Sequence, residues 1–266
     1  MISVVINADT RKGYLHSARG EEWGNKSLHG VRSVDFLLEG VRQKMDFFRG
    51  YDTQCLLYVD QHEALSYGLI AEIDELIGSY GNNSKFILKQ HDRTKPRWND
   101  YLYLEALRLA DGDYIAHFDQ DCNAYRTDEC DIIRRYLLWL NNQYKFICQP
   151  TDMTKEAHGM WWASTRFFIC KKETLNFDEI ESNLTTPVRG KHTPCFEHVI
   201  SVLNDESVCY PPREDEQYCI FSWATYNSGT IKKLNEMSYA DVKKYVLDEQ
   251  GLFGPNDCVD KTKSND

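Results

Sequence analysis

Short apolar runs alternate with stretches of helical spacing along the first half of this chain, and three of the runs lead to an aspartate. Residues 2–6, 54–59, 85–88 and 113–118 read as four strands. Between the first two, Leu37, Leu38, Val41, Met45 and Phe48 recur at helical spacing, with Ser33 placed to cap. Residues 63–77 read as a second helix ending near Gly78. A third starts near Pro96 and carries Leu102, Ala106 and Leu109 on one face. Asp111-Gly112 stops it, glycine suiting the left-handed residue after a helix. Strands separated by helices at this spacing predict a parallel sheet with helices on both faces, an α/β fold. In such sheets ligands bind beyond the carboxyl ends of the strands. Asp9, Asp60 and Asp119 fall at those ends, which makes that edge the place to look for a site.

The fourth run stops on Asp119-Gln120-Asp121. Side chains alternate along a strand, so residues two apart share a face. Two convergent carboxylates at an open strand end suit a hard divalent cation, which keeps some water ligands and takes phosphate oxygens as others. Such a cation would neutralise a diphosphate leaving group. The plainer reading is an Asp-rich turn after a strand.

The remaining composition narrows the classes. The chain has 266 residues, with 16 Tyr, 12 Phe and 6 Trp, enough to bury a sizeable core. Nine cysteines are scattered with no C-x-x-C pair, which reads as reduced thiols and argues against both a disulfide framework and zinc. The formal charge of −10 argues against a generic duplex binder; the basic patches at residues 89–97 and 189–192 are local and suit a phosphorylated small molecule equally well. No run is long and apolar enough to span a bilayer, and residues 2–6 enter a strand with no signal-peptide pattern, so a cytoplasmic protein is expected.

The second half changes character. Residues 131–140 read as an amphipathic helix, and 145–148 and 166–170 as strands. Residues 181–194 read as loop, 196–203 as a short helix and 238–247 as a last helix capped by Ser238. The chain divides most simply as one domain over 1–254, with a tail at 255–266 that frays.

With strand ends and carboxylates placed, the chain resembles the GT-A nucleotide-diphospho-sugar glycosyltransferases, most nearly the family-2-like group. The resemblance rests on Ile2-Ser3-Val4-Val5-Ile6 as the opening strand and on Leu56-Leu57-Tyr58-Val59-Asp60 as the second. Arg97-Trp98-Asn99 leads through a helix into Gly112-Asp113-Tyr114-Ile115, and Asp119-Gln120-Asp121 follows as the metal motif. Residues 163–173 look like the later segment that forms the acceptor face. The first loop departs from the family: Asn7-Ala8-Asp9-Thr10-Arg11 and an insertion to Val31 stand there. The absence of a Q-x-x-R-W motif speaks against a processive polysaccharide synthase.

The resemblance implies a Rossmann-like, mostly parallel sheet, with residues 1–125 binding the nucleotide sugar and 126–254 the acceptor. It implies transfer of a sugar from a nucleoside-diphosphate donor, UDP-sugar by default, to a hydroxyl acceptor, with Mn or Mg. Asp119 and Asp121 are the expected metal ligands, with His198 and His158 as further candidates. Asp9 and Asp60 are placed to accept hydrogen bonds from a base or ribose, their plainer role being turn chemistry at a strand end. Arg97 is placed to hold the diphosphate, since a guanidinium grips phosphate oxygens in pairs. Glu197 is the candidate general base if the reaction inverts, against a plainer role as a carboxylate at a helix start. Trp161 and Trp162 are candidates for stacking on a sugar or base. The acceptor stays open among glycan, lipid-linked sugar, protein and modified DNA base. A sugar-phosphate nucleotidyltransferase and a non-catalytic nucleotide-sugar-binding module of the same fold are the alternatives.

Overall fold

A computed structural model describes residues 1–10, 37–61, 64–91, 98–120, 122–124, 132–150, 163–185, 196, 199–200, 203, 208–209 and 220–222. Its first half follows the expected alternation: β1 (Ile2–Asp9), α1 (Leu37–Phe47), β2 (Thr53–Asp60), α2 (Tyr67–Gly78), β3 (Lys85–Lys89), α3 (Trp98–Arg108) and β4 (Tyr114–Asp119). Then come β5 (Cys122–Ala124), α4 (Ile132–Asn142), β6 (Phe146–Pro150), β7 (Ala163–Lys171), α5 (Phe177–Thr185), β8 (Val208–Cys209) and β9 (Ile220–Ser222).

Seven strands form the main sheet in the order β3-β2-β1-β4-β7-β6-β8. β1 lies at its heart, parallel to β2 on one side and to β4 on the other. β3 adds in parallel outside β2, and β8 outside β6. β7 alone is reversed, antiparallel to both β4 and β6. This is the α/β architecture, a mostly parallel sheet flanked by helices, that the GT-A resemblance implies. β5 and β9 pair antiparallel in a separate small sheet.

Strand alternation sorts the apolar side chains into two layers. Val4 and Ile6 of β1, Leu57 and Val59 of β2, and Ala116 and Phe118 of β4 pack with Val41 and Met45 of α1, Ile73 and Ile77 of α2, and Tyr136 of α4. The opposite parity, Val5, Leu56, Tyr58 and Ile115, packs with Leu104 and Leu107 of α3, Ile180 and Leu184 of α5, and Phe196. A sheet buried on both faces explains why its strands read as nearly continuous apolar runs.

Three details differ from the sequence reading. α2 begins at Tyr67, because Ser66 stays extended and its hydroxyl accepts the Leu69 N–H at 3.2 Å as an N-cap. Residues 181–185 are helical, not loop: Asn176 Oδ1 accepts the Glu179 N–H as an N-cap, and its side-chain Nδ2 donates to the Glu179 carboxylate, opening α5. Leu109 is exposed, and the buried stripe of this region runs instead through Leu102, Leu104, Ala106, Leu107 and Ala110.

The amino edge of the sheet is closed by one buried amide. Gln54 Oε1 accepts from Ser3 Oγ at 2.6 Å and from the Asp111 N–H at 2.9 Å. Its Nε2 donates to the Asn83 carbonyl and to Asp111 Oδ2, both at 2.8 Å. Every donor and acceptor of this amide is thus used, the condition under which a buried polar group stabilises. Gly112 completes the closure through close approach and not through a left-handed backbone: among the described glycines only Gly50 and Gly81 have positive φ. A Cβ at Gly112 would lie 2.7 Å from the Ser3 nitrogen and 2.9 Å from the Met1 carbonyl oxygen. We expect Gly112→Ala to force this edge apart and cost about 1–3 kcal/mol, the usual range for overpacking. Urea unfolding checks it, and an unchanged midpoint would show that the edge yields without penalty.

Candidate functional site

Parallel pairing in register brings the ends of three strands together. Asp9 stands opposite Asp60, and Asn7 opposite Asp119. Asn7, Tyr58, Asp60, His117 and Asp119 share the parity of Val5, Leu56 and Ile115, so they lie on the face that α3 covers. Along each strand this parity turns from apolar to polar toward the carboxyl end. The polar groups are nevertheless buried: Asp60 and His117 are 0% exposed, Asn7 4% and Asp119 9%. Buried polar groups need partners, and two clusters supply most of them.

The first cluster surrounds Asp119. Tyr103 of α3 donates its hydroxyl to Asp119 Oδ1 at 3.0 Å. The Tyr103 ring meets His117 edge-on, with centroids 5.3 Å apart, and stacks on Phe196 at 5.6 Å. His117 stacks in turn on Phe168 of β7 at 5.0 Å, and its Nε2 lies 3.2 Å from Asn7 Oδ1. Asn7 Nδ2 has no hydrogen-bond partner among the described residues. Asp100, one turn before Tyr103, accepts the Phe196 N–H at 3.0 Å. On the opposite face the buried Lys44 of α1 donates to the Gln120 carbonyl at 3.2 Å, with its Nζ 5.9 Å from the Phe118 ring centroid. The middle residue of the triplet is therefore held from the α1 side while its first carboxylate is held from the α3 side.

The second cluster surrounds Asp60. Its Oδ1 accepts the His91 N–H at 3.2 Å and lies 3.1 Å from His91 Nδ1. Tyr58 donates to Glu105 Oε2 at 2.6 Å and lies 3.2 Å from His91 Nε2. Lys89 closes the ring by an ion pair with Glu105. Burial alone would raise the Glu105 carboxyl, but the hydrogen bonds from Lys89 and Tyr58 outweigh it and hold the group below the usual carboxylate range. The Tyr58 phenol is pushed up, by burial first and then by the Glu105 carboxylate.

Three of the sequence-predicted site residues fall within this arrangement. Asp60 and Asp119 lie in the two clusters, and Asp9 closes β1 in register with Asp60. Arg97, Asp121, His158, Trp161, Trp162, Glu197 and His198 lie outside the described residues, as do the proposed tail and the helix at 238–247. Of the basic patch at 89–97, Lys89 is committed to Glu105. Sequence reasoning missed Asn7, Lys44, His91, Asp100, Tyr103 and Glu105. Only Asn7 carried a signal, a polar residue at a core parity just before a strand end.

The donor chemistry at the end of β4 suits a hard cation, being carboxylate oxygen from Asp119, with Asp121 two residues on. Among the described residues no group of three or more His, Cys, Asp or Glu is assembled to hold a metal. Three thiols among the described residues, Cys55, Cys148 and Cys170, are buried, and burial pushes the Cys55 thiol up to about 12 and raises that of Cys170 too, which suits packing and not nucleophilic attack at these positions. No helix among the described residues is long and apolar enough to cross a membrane.

No family model matches the chain, and no curated protein matches it. Among solved structures it is similar to the galactosyltransferase LgtC in complex with donor and acceptor sugar analogues, at 12% identity over 80% of this chain and 73% of that one, with a TM-score of 0.47. A cytidylyltransferase from Leptospira borgpetersenii matches at 14% identity over 97% and 98%, with a TM-score of 0.42. A mannosyltransferase from Pyrobaculum calidifontis, in complex with GDP-Man and Mn2+, matches at 12% over 79% and 54%, with a TM-score of 0.41.

The Glu105 cluster predicts a pH dependence. A carboxyl whose folded pKa is lowered stabilises the fold above its unfolded pKa, about 4.3, and the contribution is lost as pH falls through the folded value. Glu105→Gln should therefore be less stable than the wild type at neutral pH, and the gap should close on the acid side of that window. Urea midpoints of both proteins between pH 3 and 8 check this; a gap that stays constant over the range would refute the linkage.

Proposed function

We propose that this chain is a divalent-metal-dependent glycosyltransferase that moves a sugar from a nucleoside-diphosphate donor to a hydroxyl acceptor. The observation that carries the reading is the register of the central strands, which sets Asp60, Asp9 and Asp119 along one carboxyl edge, with Asp121 following Asp119 by two residues. Asp119 and Asp121, with His198, are the ligands for Mn or Mg in this reading. Neutralisation of the departing diphosphate is what the cation supplies when bound. Asp9, Asp60 and Arg97 belong to the nucleotide end, and the buried Asn7 Nδ2, which has no hydrogen-bond partner among the described residues, adds a donor suited to a ligand oxygen. Glu197 takes the proton of the acceptor hydroxyl while that oxygen attacks the anomeric carbon, and the nucleoside diphosphate leaves with the bonding electron pair.

The same reading makes residues 1–125 the donor half and 126–254 the acceptor half of one domain, with UDP-sugar as the first donor to try. A cytoplasmic setting belongs to the same reading, supported by nine scattered cysteines with no C-x-x-C pair.

Thermal-shift screening of nucleoside-diphosphate sugars with Mn present finds the donor, because a ligand of the native state raises its melting point. Calorimetry with and without EDTA then tests the cation bridge. We expect donor binding to collapse in EDTA, and Asp121→Ala to abolish most transfer while circular dichroism stays unchanged. Equal donor affinity in EDTA, or near-normal turnover in the folded mutant, would sink the assignment. Pyrophosphate release from a nucleoside triphosphate and a sugar phosphate would identify a nucleotidyltransferase instead.

A further inference from the structure

Two residues of α3 one turn apart share a face, and that face touches two different parts of the chain. Asp100 Oδ1 accepts the backbone N–H of Phe196, while the Tyr103 ring stacks on the Phe196 ring and its hydroxyl donates to Asp119. Phe196 immediately precedes Glu197 and His198 in the sequence. One helix face therefore fastens the last carboxylate of β4 and the residue that leads into the candidate base.

The Tyr103 hydroxyl has little freedom of its own. Its ring is set between the His117 edge, at 5.3 Å, and the Phe196 face, at 5.6 Å, and His117 is fixed by Phe168 and Asn7. A donor held this way fixes the carboxylate it bonds, and Asp119 is 9% exposed, so solvent does little to orient it. Losing a partner that orients a metal ligand typically costs about 10–100-fold in metal affinity.

We propose that Tyr103 is a positioning residue, which sets the Asp119 carboxylate for a divalent cation through its hydroxyl. The proposal rests on the cation reading given above, and its test separates the two. Manganese alone is titrated into the full-length protein, and free Mn2+ is counted by electron paramagnetic resonance. Asp119→Asn tests the reading; Tyr103→Phe tests the proposal, since it keeps the ring contacts and removes only the hydroxyl.

We expect the wild type to bind one Mn2+, Asp119→Asn to lose it, and Tyr103→Phe to bind about tenfold or more weakly at an essentially unchanged melting temperature. Wild-type affinity in Tyr103→Phe, with Asp119→Asn still defective, overturns the role of Tyr103 and leaves the cation site standing. No binding by the wild type, or an Asp119→Asn variant that binds normally, overturns both. Should Tyr103→Phe fail to fold, 4-fluorophenylalanine at position 103, which keeps the ring and fills the hydroxyl's space but cannot donate, takes its place with the same two readings. A purely structural hydroxyl would lower the melting temperature and leave Mn affinity alone, and that result also overturns the proposal.

Discussion

The pairing of β1 with β2 and β4 at once is the constraint on which the rest depends. Parallel strands cannot be joined by tight turns, so each join must cross over one face of the sheet. That requirement puts α1, α2 and α3 where they are and buries β1 from both sides. It also fixes register, since slipping a strand by one residue would send its apolar set to the wrong layer. Once the register is fixed, Asn7 must face Asp119 and Asp9 must stand beside Asp60. The polar edge is a consequence of packing the apolar one.

The two edges of the sheet are built differently. At the amino edge one amide, Gln54, satisfies four groups from three residues, Ser3, Asn83 and Asp111, with Gly112 pressed against Ser3. At the carboxyl edge several charged and aromatic groups are held in place, while Asn7 Nδ2 finds no partner among the described residues. A fully matched edge suits stability. A buried donor without a partner among the described residues suits a ligand that brings its own oxygens.

How much of this was legible follows from what each residue's signal is made of. The strands β1, β2 and β4 announced themselves, because burial on both faces leaves a continuous apolar run. Asp60 and Asp119 were visible as the residues that end such runs. Tyr103 and Glu105 were not: within α3 they read as ordinary members of a half-apolar helix, and only the placement of α3 over the strand ends gives them partners. His91 reaches Asp60 because β3 lies in register beside β2, a fact of topology rather than of local pattern. The reversal of β7 left no mark either, since an apolar strand reads the same in both directions. The start of α5 was written plainly in Asn176 and Glu179 and was passed over.

The position of the Asp119-Gln120-Asp121 triplet has one more consequence. Asp119 is the last residue of β4 in the main sheet, and Asp121 directly precedes β5, which belongs to the small sheet with β9. Gln120 alone separates the two aspartates in the sequence, and Lys44 holds its carbonyl. Residues 220–222, far along the chain, complete the small sheet that begins just after the triplet. The triplet is thus the seam at which the chain leaves one sheet for the other.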